Sequence, residues 1–439
     1  MKQQKNTSNI EEEEQEVPEV TKDSEVTSEN KEDEETEEVE KHSMRKDTVN
    51  DTYSNIIEAG DIPVYQDFEE MGLSDDILRG VFSYGFEKPS EIQKRAIGCL
   101  ISGRDLIAQS QSGTGKTGAF TIGTMQRVDP SINKPQILII EPTRELSLQV
   151  CNVYKAIGDY LKIKIHCSIG GTRVNDERQT LSRGVHVVIG TPGRITDMIK
   201  RRYLDLTYLK TFVLDEADEM LSRGFLDNIR EICEYIPPKT QASIFSATMP
   251  AECLEITENF MNNPIKIIVQ KEELTLEGIL QYYVDTGQND YKFEVICDLY
   301  EALHASQSVI FCSTTKRVDH LFNLMKENNF AVECMHGKMT HEERTTIMEK
   351  FRRGEIRFLI ATDLVARGID IQGISLVINY DLPNDIENYI HRIGRAGRFG
   401  RKGVAITLVT ERDIDDMLKI QTYYNTQINP LPSNINNLI

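Results

Sequence analysis

The chain has 439 residues, 39% of them hydrophobic, and a formal net charge of −20. That length accommodates two or three globular domains, and no apolar stretch approaches the ~18–20 residues of a membrane-spanning helix. The first residues, Met1-Lys2-Gln3-Gln4-Lys5-Asn6, lack the apolar core of a secretory signal, and the eight cysteines form no Cys-x-x-Cys pair, so reduced thiols and an intracellular, reducing compartment, cytoplasm or nucleus alike, are expected.

Residues 1–50 carry 17 acids against 7 Lys or Arg, half of the whole excess. A stretch so poor in apolar residues buries too little surface to offset its ordering entropy, and residues 1–62 are expected to be a disordered acidic tail. It reads as a solvating segment, with an internal mimic of nucleic acid as the alternative.

From Val64 onward, short β-branched runs alternate with amphipathic stretches. Strands are expected at Leu106–Ala108, Ile137–Glu141, Lys164–Ser168, His186–Gly190, Thr211–Leu214 and Ala242–Ser246, with helices such as Glu91–Ile101 and Leu226–Tyr235 between them. A second round begins near Gln281, with strands at Ser308–Cys312, Ala331–Met335, Phe358–Ala361, Leu376–Tyr380 and Gly403–Val409. Such alternation predicts parallel sheets with helices on both faces. The polar run at 270–278 reads as a linker between a first domain, 63–269, and a second, 279–439. The two are expected to stand open across a cleft in the absence of ligands.

The first chemical signal follows the first strand. Ser110, Gln111, Ser112, Gly113, Thr114, Gly115, Lys116 and Thr117 form a phosphate-cradling loop that opens a helix. Its glycines let backbone N–H groups wrap phosphates, Lys116 reaches the outer phosphates, and Thr117 ligates magnesium. Ser110 stands where the strict pattern has glycine. The second signal is an apolar strand ending in carboxylates, Val213-Leu214-Asp215-Glu216-Ala217-Asp218. Asp215 is suited to hold magnesium through water, and Glu216 to orient or deprotonate the attacking water. The third is His391-Arg392-Ile393-Gly394-Arg395-Ala396-Gly397-Arg398, which sets arginine at every third position. On one helix these guanidinium groups would share a face, and the second domain could deliver Arg395 and Arg398 to phosphates held by the first.

With these motifs in order, the chain from Phe68 to Ile439 resembles the DEAD-box RNA helicases, most closely their translation initiation factor 4A branch. The resemblance implies two tandem RecA-like domains, ATP with Mg2+ as cofactors, and RNA-stimulated hydrolysis that locally unwinds or remodels RNA in translation initiation or RNA processing. Gly85-Phe86-Glu87-Lys88-Pro89-Ser90-Glu91-Ile92-Gln93 matches the family's adenine-reading motif, in which Gln93 pairs with the base and Phe68 stacks on it. Pro142-Thr143-Arg144-Glu145-Leu146, Gly170-Gly171 and Thr191-Pro192-Gly193-Arg194 match the RNA-contacting motifs of the first domain. Ser246-Ala247-Thr248, with Asp218 and His391, matches the set that couples hydrolysis to strand separation. Thr362-Asp363 and Ala366-Arg367-Gly368-Ile369-Asp370 match a further motif, in which Thr362 meets an RNA phosphate and Asp370 the ribose of ATP. His341 and Lys316 depart from the family's usual Gln and Arg.

RNA binding by an acidic chain is expected to rest on local charge. His391 to Gly403 holds five Lys or Arg and no acid, and Lys200-Arg201-Arg202 follows the Thr-Pro-Gly-Arg motif after five residues. Contacts to phosphates and 2′-hydroxyls without base reading are implied, as are a monomer and protein regulators at the cleft. An ATP-locked RNA clamp uses the same residues and is the alternative reading. A DNA helicase is the rival class, against which the RNA motifs weigh.

Overall fold

A computed structural model of the chain describes residues 62–110, 113–222, 224–249, 260–268, 279–303, 307–363, 374–396 and 403–432. The acidic tail through 61, the segment expected as a linker, and the motif residues Gln111, Ser112, Asp370 and Arg398 lie outside the described residues.

The first lobe is built on β1 (Leu106–Gln109), β2 (Ile137–Ile140), β3 (Ile165–Ser168), β4 (Val187–Gly190), β5 (Thr211–Asp215), β6 (Gln241–Ser246) and β7 (Ile265–Ile268). Its helices are α1 (Asp75–Tyr84), α2 (Glu91–Ser102), α3 (Lys116–Met125), α4 (Arg144–Ile157), α5 (Val174–Ser182), α6 (Pro192–Lys200), α7 (Ala217–Ser222) and α8 (Leu226–Glu234). The second lobe carries β8 (Ile279–Gly287), β9 (Gln307–Phe311), β10 (Val332–Met335), β11 (Phe358–Ala361), β12 (Ile374–Asn379), β13 (Gly403–Thr410) and β14 (Asn429–Pro430). Its helices are α9 (Lys292–Ala302), α10 (Thr315–Glu327), α11 (His341–Arg352), α12 (Ile386–Ile393) and α13 (Ile414–Tyr424).

The strand order is β3-β4-β2-β5-β6-β1-β7 in the first lobe and β10-β11-β9-β12-β13-β8-β14 in the second. Place for place these are the same topology, although the two halves share no obvious sequence repeat. All pairings in both sheets are parallel. All eleven anticipated strands are present, their ends displaced by at most a few residues. Three strands were not anticipated: β8, at the expected start of the second round, and the edge strands β7 and β14. Each of the two edge strands is short and touches a proline, Pro264 or Pro430, which weakens the strand signal and suits only an edge.

Parallel strands buried on both faces send alternate side chains to opposite cores. Ile137 and Ile139 join one apolar cluster while Leu138 and Ile140 join the other. The second sheet divides Val309 and Phe311 from Ile310 in the same way. Local chemistry fixes where helices begin. Ser90 and Gln93 form a capping box at α2, the Thr143 hydroxyl accepts from Leu146 N–H at α4, and Thr340 with Glu343 caps α11. Pro192 opens α6.

The two lobes meet rather than stand apart. Arg344 of α11 pairs with Glu145 of α4 at 2.9 Å, and His391 of α12 lies 3.3 Å from Asp218 of α7. The expectation of an open cleft is therefore corrected. Polar side chains placed far apart in the chain close it, and neither pairing is visible from local pattern.

Candidate functional site

The site lies at the carboxyl edge of the first sheet, where α/β proteins place ligands. After β1 the chain turns through Gly113 and Gly115 into α3. Gly115 sits at φ +103°, and a Cβ there would lie 2.8 Å from Ser90 Oγ, so only glycine fits. Lys116 is buried and its Nζ donates to the Ser110 carbonyl at 2.9 Å. The Ser110 and Thr114 hydroxyls are paired across the loop. Thr117 lies in the first turn of α3.

The base-side motif packs onto this loop. Gln93 accepts from Ser90 N–H at 2.9 Å and donates to the Gly115 carbonyl at 3.2 Å. It thus ties the start of α2 to the glycine loop before α3. Phe68 is fully buried, its ring 6.3 Å from Phe86 at an interplanar angle of 25°. The ring beside Gly118 on that side is the half-buried Phe86, to which the sequence reading assigned no role.

Asp215 ends β5 and Glu216 follows it at φ +49°, a left-handed conformation that a non-glycine residue holds only when its surroundings enforce it. Glu216 lies 4.0 Å from Lys116 Nζ. Burial, reinforced by the neighbouring Glu216, pushes the Asp215 carboxyl up to about 7. Burial also opposes charge on Glu216, yet Lys116, His391 and Arg395 together hold it below the usual carboxylate range. Glu141, one residue beyond β2, is fully buried. Burial and the charge of Asp215 push it well above the ordinary range. Neither of its carboxylate oxygens, nor Glu216 Oε2, has a hydrogen-bond partner among the described residues.

Asp218 joins three motifs. Its Oδ2 accepts from Thr248 N–H at 3.1 Å and from the Thr248 hydroxyl at 2.7 Å. Its own N–H donates to Ser246 Oγ at 3.2 Å, and His391 reaches Oδ2 from the second lobe. Arg395 is buried, its Nε donating to the His391 carbonyl at 3.0 Å, and its charge acts on Glu216.

The arginines do not share one helical face as expected. The helix ends at Ile393 with Gly394 as its cap, so Arg395 lies beyond it. Arg392 turns into the second lobe, pairing with Asp363 through both Nε and Nη2, while its guanidinium lies over the Phe311 ring at 5.3 Å.

The RNA-motif residues gather in two places. Arg144 lies over Gly170 and Gly171, and a Cβ on Gly170 would fall 2.7 Å from its Nη2. Thr143, Thr191 and Pro192 are the residues at the starts of α4 and α6, while Gly193 faces open space. Arg194 is turned to the protein, pairing with Glu177 at 3.0 Å and donating to the Thr172 carbonyl at 3.0 Å. In the second lobe, Thr362 lines a cavity of about 330 Å³ with Ser313, Thr314, Gly337 and Asn388. His341 opens α11 and Lys316 is exposed in α10. The basic run at the end of α6 is partly neutralised, since Lys200 pairs with Glu231 and Arg201 with Asp197.

Sequence reasoning missed the Glu145–Arg344 pair and the placement of Glu141. A signal for Glu141 was present, since Ile137–Glu141, like Thr211–Asp215, is an apolar run ending in a carboxylate.

Comparison with known proteins agrees with this geometry. Residues 90–256 match the DEAD/DEAH box helicase family, and residues 291–400 match the helicase conserved C-terminal domain. The chain is 53% identical over 393 residues to the ATP-dependent RNA helicase eIF4A of Yarrowia lipolytica, covering 90% of this chain and 100% of that one. It is 53% identical over 384 residues to eukaryotic initiation factor 4A of Caenorhabditis elegans, covering 88% and 96%. In structure it is similar to S. cerevisiae Dbp5 bound to RNA and ADP BeF3, with a TM-score of 0.80, 36% identity, and coverage of 84% of this chain and 96% of that one. Among the described residues no helix is long and apolar enough to cross a membrane.

Proposed function

We propose a function from one established premise, that the chain belongs to the DEAD-box family of ATP-dependent RNA helicases: it couples ATP hydrolysis to local unwinding of RNA, in the setting of translation initiation that its initiation-factor relatives indicate. The observation that carries the coupling is Asp218, whose one carboxylate oxygen is shared by Thr248 of the first lobe and His391 of the second.

Each residue has a task in this reading. Lys116 leaves the Ser110 carbonyl for the outer phosphates, and backbone N–H groups of Gly113 to Thr117 cradle them. Glu216, kept ionised by Lys116, His391 and Arg395, accepts the proton of the attacking water. Arg395 offsets negative charge on the transferring phosphoryl group, with Arg398 as its partner. The buried carboxyls of Asp215, Glu216 and Glu141, with orphaned oxygens on Glu216 and Glu141, fit a divalent cation, which Asp215 and Thr117 would hold. Magnesium, when bound, supplies screening of the phosphate charges. Arg144, the Gly170-Gly171 turn, the start of α6 and Thr362 would meet the RNA backbone without reading bases. The protein acts as a monomer, and its regulators bind across the cleft.

The test measures ATP hydrolysis and duplex separation with RNA, with DNA and with neither. RNA alone should stimulate hydrolysis, and Glu216→Gln should lose nearly all of it while still binding ATP. Stimulation by DNA but not RNA, or a fully active Glu216→Gln protein, overturns the reading.

A further inference from the structure

Glu141 is the least explained group in the first lobe. A carboxyl withdrawn from water without a hydrogen-bond partner is among the most costly placements in a fold, and native structures retain such groups mainly where a function needs them. Glu141 is 0% exposed, and both of its carboxylate oxygens are without a partner among the described residues.

Its position is fixed by the sheet. β2 lies between β4 and β5. Ile140 stands opposite Leu214, so the next step of the register sets Glu141 beside Asp215. Paired positions on neighbouring strands project to the same face. The Glu141 N–H donates to the Gly190 carbonyl at 2.9 Å, which carries the ladder one residue past β2 and holds the backbone rigidly. The charged groups that act on its carboxyl are Asp215 and Glu216, then Lys116 and Glu219. Four buried carboxyls of the first lobe, Glu141, Asp215, Glu216 and Glu219, therefore act on one another with a single lysine beside them. Such an excess fits a divalent cation and its tightly held water, which brings both positive charge and hydrogen-bond donors.

From this placement we infer that Glu141 is a positioning residue for the metal, accepting hydrogen bonds from water in the shell of the magnesium held by Asp215 and Thr117. The inference rests on the nucleotide site proposed above and adds to Asp215 and Thr117 a further carboxylate that fixes the hydrated cation from the β2 side. Second-layer partners of this kind set metal affinity, and their loss typically costs about 10–100-fold.

The test is equilibrium binding of a fluorescent adenine nucleotide to the full chain, titrated with MgCl2, with no turnover in the readout. Glu141→Gln keeps the side chain's shape and removes its charge, and Glu141→Ala removes the group. Both variants should require roughly ten-fold or more magnesium for half-maximal tightening, while magnesium-free nucleotide affinity stays at the wild-type value. Asp215→Asn should shift the midpoint in the same direction. An unchanged midpoint in both Glu141 variants, with Asp215→Asn shifted, overturns the role of Glu141 alone. Wild-type binding that is indifferent to magnesium overturns the underlying metal site and this inference with it.

Discussion

His391 and Thr248 converge on one oxygen of Asp218: His391 Nε2 lies 3.3 Å from Oδ2, and the Thr248 hydroxyl donates to the same atom at 2.7 Å. The first contact crosses between the lobes and the second stays within one. In the proposed function Asp218 would report lobe closure to the strand end that carries Thr248. Hydrogen bonds to charged groups contribute about 1.5–3 kcal/mol. His391→Ala should therefore lower RNA-stimulated kcat by roughly 10- to 150-fold while leaving ATP affinity within a few-fold. Steady-state hydrolysis beside calorimetric ATP binding checks this. An equal loss of binding and turnover would make the contact merely structural.

The Glu145–Arg344 pair closes the cleft from another side, at 2.9 Å with both side chains 13% exposed. Removing one partner of a buried pair leaves the other charge stranded, which costs about 3–5 kcal/mol. Arg344→Ala should shift the population toward separated lobes, read as a larger radius of gyration by solution scattering with RNA and a nucleotide analogue present. The double reversal Glu145→Arg with Arg344→Glu should recover much of the compact form, which neither single reversal does. A radius unchanged in every variant would show that the pair does not hold the lobes together.

How much of this was legible in the sequence follows from the range of each interaction. The phosphate loop and the Asp215–Glu216 strand end could be read because strand, glycine turn and carboxylate are neighbours in the chain. Helix starts at Glu91 and His341 rest on capping residues within three positions. Arg392 shows where local reading fails. Its three-residue spacing to Arg395 suggested a shared face, but Asp363 and the Phe311 ring draw it into the lobe and Gly394 ends the helix before Arg395. Glu141 could be read as a strand end, but its lack of a partner is a property of packing. The cleft contacts join segments far apart in the chain, and no periodicity encodes them.

The Cys151–Cys167 pair predicts a titration that sets it apart from other described thiols. Burial pushes Cys99 up to about 11 and Cys233 and Cys334 up to about 12. At Cys151 a hydrogen bond from Cys167 outweighs burial, Lys155 adds its charge, and the thiol falls to about 7. The sign is that of a lowered acid, with the thiol form below pH 7 and thiolate above it. Ultraviolet absorbance of the native protein should show a one-thiolate step near pH 7. Cys151→Ser and Cys167→Ser should each lack it, the second because the stabilising donor is gone. A first step only above pH 9 would refute the pairing.

Arg194 is the RNA-motif cation whose orientation most changes what its mutation should do. Its guanidinium bonds Glu177 and the Thr172 carbonyl, and Glu177 in turn accepts from the Ser168 hydroxyl and lies 3.3 Å from His166. These contacts staple the start of α6 to the turn after Gly171, so in the proposed RNA site Arg194 would hold that surface in shape instead of meeting a phosphate. A cation that meets a phosphate contributes close to one unit to the slope of log affinity against log salt. Arg194→Lys and Glu177→Gln should each weaken RNA binding by about ten-fold, in line with loss of one charge-assisted bond, and leave that slope unchanged. Arg144, which lies over Gly170 and Gly171, provides the contrast, since Arg144→Gln should flatten the slope by about one unit. Fluorescence anisotropy with a single-stranded RNA across a salt series separates the two behaviours. A slope that falls by one unit in Arg194→Lys would assign that guanidinium to the RNA backbone and reverse the two roles.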